Sequence, residues 1–173
     1  ERIKRAGKLV DQVTLNTPST SSPVTFNDGS TNWPSPIYDT ENNRVLISYS
    51  DAADSSHGKV VIGTINGESI EFGAEHTFAN EQVQSVKSAY DPVNHRILVV
   101  FREPGSSNHL KYFVGDVDAA NDSITWGGRY TLRSSPGWVH DVVFDPDQNR
   151  MIVLYSDFVL KVAMWRTTAA PQV

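Results

Sequence analysis

Apolar and polar positions along this chain fall into one pattern, written three times. The middle copy, Ser88–Glu103, reads Ser-Ala-Tyr-Asp-Pro-Val-Asn-His-Arg-Ile-Leu-Val-Val-Phe-Arg-Glu. The third copy, Val142–Asp157, and the first, Pro36–Asp51, keep the same order. That order is aromatic-Asp, a few turn formers, Asn or His, Arg, an apolar run, an aromatic, one residue and an acid. Asp39, Asp91 and Asp145 lie 52 and 54 residues apart. A period near 50 is that of arrays of small β-sheets, whose units hide their apolar faces only against one another.

Each copy predicts the same strands. The turn Asp-x-x-[Asn/Gln]-[Asn/His]-Arg closes a tight hairpin, because Asp and Asn bond nearby amides and tolerate left-handed backbone. The strand after it is almost wholly apolar: Val45-Leu-Ile47, Ile97–Phe101 and Met151–Tyr155. Such a run predicts a strand buried on both faces. A third strand carries Lys at one matched place, in Lys59–Gly63, Lys111–Gly115 and Lys161–Trp165. In the first two copies it runs through Asn66-Gly67, a strong hairpin signal, or Ala119–Asp122 into Ser69–Gly73 or Ser123–Gly127. Thr77-Phe78 or Thr131-Leu132 follows a few residues on.

The same pair occurs at Thr25-Phe26, so Val24–Phe26 predicts a short opening strand, with a loop over Asn27–Pro36. The third copy stops after Trp165 without a fourth strand. The expectation is that the opening strand completes the last sheet. Lys8–Leu15 predicts one further strand. No apolar i, i+3, i+4 stripe persists for ten residues, so no helix is predicted.

The expected fold is an all-β, β-propeller-like array of three four-stranded repeats, with a β-trefoil as the alternative. The domain plan is an N-terminal arm at 1–19, a three-repeat β domain at 20–168 divided near 20–66, 67–120 and 121–168, and a tail at 169–173. Three sheets are too few for a propeller ring, which takes about four to eight. Two paired chains making six blades, or a longer array of which this is a piece, would meet that number. A chain that opens on Glu1 is expected to be processed or part of something longer.

A net charge of −5 argues against binding nucleic acid through phosphate neutralisation. The basic start, with Arg2, Lys4, Arg5 and Lys8, reads as a solvated arm. Without cysteine there is no disulfide or thiolate metal site. No run reaches the ~18 apolar residues of a membrane helix, so membrane insertion is not expected. The start has no signal-peptide apolar core.

The blade motifs resemble the roughly 50-residue β-repeats of tail-fibre and other virion proteins of marine tailed phages, over about residues 20–165. The shared elements are Tyr/Phe-Asp, Asn/His-Arg, the apolar strand and Ser-Ile-x-aromatic-Gly. The resemblance implies a virion or extracellular structural and attachment module that is usually oligomeric. Its partners would be copies of itself, other virion proteins and a cell-surface glycan.

Candidate chemistry is sparse. The Asp39/Arg44, Asp91/Arg96 and Asp145/Arg150 pairs recur in every copy, which marks a structural turn device rather than a catalytic site. Asp51, Glu103 and Asp157 end the apolar strand in each copy and read as edge charges against strand pairing. A cation held by a ring of these acids is the functional alternative. The five histidines show no zinc spacing, and neither a nucleophile elbow nor a phosphate loop is present. Asp122–Gly127 matches the Asp-box of sialidases only in part. Asp116–Asp122 lacks the calcium-loop spacing and reads as a polar hairpin loop. No catalytic residue, metal or cofactor is expected.

Aromatics supply the binding hypothesis. Trp33 and Trp138 fall in predicted loops before their hairpins, with His140 and Asp141 beside the second. An indole stacks on the C–H face of a sugar while neighbouring polar groups fix hydroxyls, which points to a lectin-like alternative. Packing between blades competes with that reading. Trp126 and Trp165 read as core or interface.

Overall fold

The structure is a computed structural model that describes residues 21–118 and 120–165. The expected arm, the predicted strand at Lys8–Leu15 and the tail lie outside the described residues. The chain is all-β, in three antiparallel sheets. The first sheet runs β1 (Thr31–Asp39), β2 (Arg44–Asp51), β3 (His57–Asn66), β4 (Ser69–Gln82) in order. The second is β5 (Gln84–Asp91), β6 (Arg96–Glu103) and β7 (His109–Asp118), whose outer edge is shared by β8 (Ser123–Trp126) and β9 (Tyr130–Pro136). The third is β10 (Trp138–Asp145), β11 (Arg150–Ser156), β12 (Leu160–Trp165). The sheets are thus phased one strand later than the sequence repeats. No closed barrel and no closed ring of sheets forms among the described residues.

Two expectations at the start of the chain are corrected. Val24–Phe26 is not a strand, and half of the expected loop, from Thr31, is β1. Nor does the opening segment seal the third sheet of its own chain. Phe26 packs instead on Tyr49 and Phe72 of the first sheet, with ring centroids 5.4 and 5.9 Å away. Among the described residues β12 pairs only with β11.

The apolar central strands β2, β6 and β11 explain the stacking. Successive side chains of a strand point to opposite faces, so a fully apolar strand needs a neighbour on each side. Ile97, Val99 and Phe101 of β6 face the first sheet, against Leu46, Val60 and Ile62. Leu98 and Val100, one residue out of phase, face the third sheet, against Met151 and Val153. The second sheet is therefore the middle layer of two cores. The leading strands converge, with β5 between β1 and β10. The backbone amide of Ser88 donates to Ser35 Oγ at 3.0 Å, and Ser85 Oγ donates to the Val139 carbonyl at 2.7 Å.

Each hairpin turn is built as its sequence demands. Asp91 is fully buried; it accepts from the Val93 and Asn94 amides at 2.9 and 3.1 Å and from Asn94 Nδ2 at 2.8 Å. Asp39 and Asp145 cap their own turns in the same way. The residue before each Arg, namely Asn43, His95 or Asn149, is left-handed, with φ of 51–53°. Asx residues reach that region more readily than others do, and the turn needs it to return the chain. Asp91→Ala strips two amides of their acceptor and is expected to cost about 2 kcal/mol. Asp145→Ala, at a half-buried position, is expected to lose less, because water more readily replaces the carboxylate; denaturant midpoints of the two variants check this.

Candidate binding site

Two of the three arginines of the repeated pairs reach acids other than their turn carboxylates. Arg44 pairs with Asp122 of the second sheet, and Arg96 Nε donates to Asp116 at 2.6 Å. Arg150 Nε is buried without a partner among the described residues. Burial pushes the Tyr90 hydroxyl far above the ordinary tyrosine range, with the Asp39 carboxylate of the neighbouring sheet adding to it.

The acids ending the central strands are not edge charges. Asp51, Glu103 and Asp157 are all buried. Asp51 accepts from the Ala53 and Asp54 amides at 3.0 and 3.3 Å. Glu103 meets Arg129 at 2.6 Å. Asp157 meets Arg133 at 2.7 Å and Lys161 at 2.6 Å. The Lys161 hydrogen bond, and after it the charge of Arg133, hold the Asp157 carboxyl below its usual range. Glu103 and Asp157 are thus met by the protein's own cationic side chains, and Asp51 by backbone amides. No cluster of His, Asp and Glu among the described residues is arranged to hold a metal ion.

Trp33 and Trp138 lie in strands β1 and β10 and not in loops. Although 105 residues apart in sequence, their rings approach to 6.4 Å at an interplanar angle of 49°. They remain 46% and 44% exposed. Trp33 sits at a bulge, where the pairing of β1 with β2 shifts between Asn32 and Ser35. Its φ is 55°, which costs a residue with a Cβ about 1–2 kcal/mol. A bulge re-aims the side chain it carries, and here it sets Trp33 beside Trp138.

The Arg102 guanidinium lies 4.2 Å from the centroid of the Trp138 ring. Arg102 is itself fixed by Gln84 at 2.5 Å. Beyond Trp138 opens a shallow hollow of about 300 Å³, lined by Arg102, Pro136, Gly137, Ser156, Asp157 and the fully exposed Phe158. His140 adjoins it through a 2.8 Å hydrogen bond between Nε2 and Ser156 Oγ. Asp141 does not belong to it: it lines a separate depression with Pro34, Lys87 and Val143. The sequence does not mark Arg102 or Phe158. Nothing in a lone loop Phe or a strand Arg distinguishes them, since their place depends on how the second and third sheets stack. Trp126 and Trp165 pack against the two cores, as expected.

No family model matches the chain, and no curated protein matches it in sequence.

Proposed function

We propose that this chain is a non-enzymatic structural and attachment module of a virion or extracellular assembly, built as a propeller-like array, which holds a glycan against Trp33 and Trp138. The array reading is supported by the leading strands β1, β5 and β10, which gather on one side while the other strands fan outward. Its neighbours in the assembly are further copies of itself or other virion proteins.

One observation carries the attachment reading: two indoles from different sheets meet, one on strained backbone, and both keep nearly half their surface in water. Apolar faces left open in a rigid frame favour a ligand with its own flat apolar face. A pyranose ring has such a face of C–H groups, and Ser156, His140 and Arg102 stand near to meet its hydroxyls. Asp157 and His140 are committed to neighbouring side chains, which suits holding a ligand better than proton transfer.

A glycan array tests the reading. Trp138→Ala is expected to weaken the bound glycan by about 2 kcal/mol, roughly 30-fold in Kd, and Trp33→Ala by a similar factor. An array on which the intact chain binds nothing, or binding unchanged in both variants, refutes it.

A further inference from the structure

Among the described residues the three sheets stack by one rule, which leaves one face of the first sheet and one face of the third uncovered. Matching the repeats, Ile37, Leu46 and Val60 of the first sheet correspond to Ala89, Leu98 and Tyr112 of the second. Their counterparts in the third sheet are Val143, Ile152 and Val162. This face of the first sheet is covered by the second, and that of the second by the third. On the third sheet the same face is open, and Val162 is 62% exposed. The opposite face shows the converse. Tyr90, buried against the first sheet, is 6% exposed; its counterpart Tyr38, on the outer side of the first sheet, is 50% exposed. Asp39, in contact with Tyr90, is buried, whereas its counterpart Asp145 is half-buried.

Three polar details point the same way. Lys59 Nζ donates to Thr77 Oγ1 at 3.1 Å, and Lys111 Nζ to Thr131 Oγ1 at 2.8 Å. Their strands pair at those residues. The third lysine of the series is Lys161, on the open edge of β12, and the remaining threonine is Thr25, exposed. Phe26 lies on Tyr49 and Phe72 as Phe78 lies on Phe101 and Trp126. Phe78 belongs to the outer strand of the preceding sheet, so Val24–Phe26 already stands where the outer strand of a preceding sheet would run. Finally, Arg44 reaches Asp122 on the next sheet; the residue matching Asp122 in the first sheet is Glu68, and the arginine matching Arg44 in the third is Arg150.

We infer that a second copy of this chain docks head to tail, its first sheet covering the open face of the third sheet and its Val24–Phe26 completing the edge of β12. Lys161 then meets Thr25, Arg150 meets Glu68, and Asp145 meets Tyr38 of the second copy. A heterologous contact of this kind closes into a ring or continues as a filament. Two copies bring six sheets together, within the range of about four to eight at which sheets close into a ring. The inference rests on the part of the preceding proposal that gives the module copies of itself as neighbours, and it makes no use of the indole pair.

The test is the mass of the 173-residue chain in solution, by light scattering across a concentration series. The wild type is expected to form a two-copy assembly. Val162→Asp and Tyr38→Asp each place a charge in the contact and are expected to weaken it about 100-fold or more. Both sites are exposed, so circular dichroism of each variant should match the wild type. Mixed in equal amounts, the two variants should pair, since one intact contact remains between them. A milder check is Glu68→Arg, which should weaken pairing and be restored by Arg150→Glu on the same chain. A wild type that stays monomeric overturns the inference. So does Tyr38→Asp pairing as well as the wild type, which would mean that two third sheets meet each other. Glycan binding by a monomeric variant would leave the attachment reading standing by itself.

Discussion

Phe101→Ala is expected to lower the unfolding free energy by about 3–5 kcal/mol. Phe101 has no exposed surface. It stacks on Phe113 with centroids 6.0 Å apart and meets Phe78 at 5.6 Å. Those rings come from two sheets, so the gap left by truncation lies between two layers. Hydrogen-bonded strands do not collapse into such a gap as a loop would, so the cavity persists and the loss sits near the top of the range. The urea midpoint should fall with the slope unchanged. A drop below about 1 kcal/mol would mean that the first and second sheets are not packed as described.

Gly58→Ala is expected to cost about 2–3 kcal/mol, through overpacking rather than a cavity. A Cβ at this position would stand 2.3 Å from Phe78 Cζ and 2.4 Å from Cε2. The Phe78 ring has no room to retreat, because Phe101, Phe113 and Trp126 surround it at centroid distances of 5.6–6.2 Å. The other copies solve the same packing differently. They carry Leu110 or Leu160 where Gly58 stands, and the second has Leu132 in the place of Phe78. Where the facing side chain is the large Phe78 ring, position 58 is glycine; where it is Leu132, the matching position takes the side chain of Leu110. In a Phe78→Leu background the penalty of Gly58→Ala should therefore shrink, which a double-mutant cycle reads directly. Equal penalties in both backgrounds would refute the account.

The candidate site was only partly legible. Trp33 stands out in sequence because it lies among Pro, Ser and Asn, where nothing local requires burial, and Trp138 because it precedes its hairpin at a similar place. That they touch depends on a bulge in β1 and on the stacking of three sheets, neither of which a local pattern encodes. Arg102 carries no mark at all, since strand arginines are common; its role comes from lying over Trp138. The acids Asp51, Glu103 and Asp157 read as edge charges in sequence because each ends an apolar strand. All three are buried: the loop after Asp51 brings its amides to that carboxylate, while Arg129, Arg133 of β9 and Lys161 of β12 reach Glu103 and Asp157.

The sequence alone determined the strands of the repeat, the hairpin turns and the all-β class. These follow from local chemistry: an Asp that bonds the amides just after it, an Asx or His that enters the left-handed region, and apolar runs that need cover on both faces. The tertiary structure decided which faces found cover. Stacking joins residues 50 or more apart, so it alone left the third sheet uncovered on one side among the described residues, seated Phe26 on the first sheet rather than beside β12, and brought two indoles together. A repeated unit specifies how neighbours pack and is silent about where the stack ends, because every copy offers the same two faces.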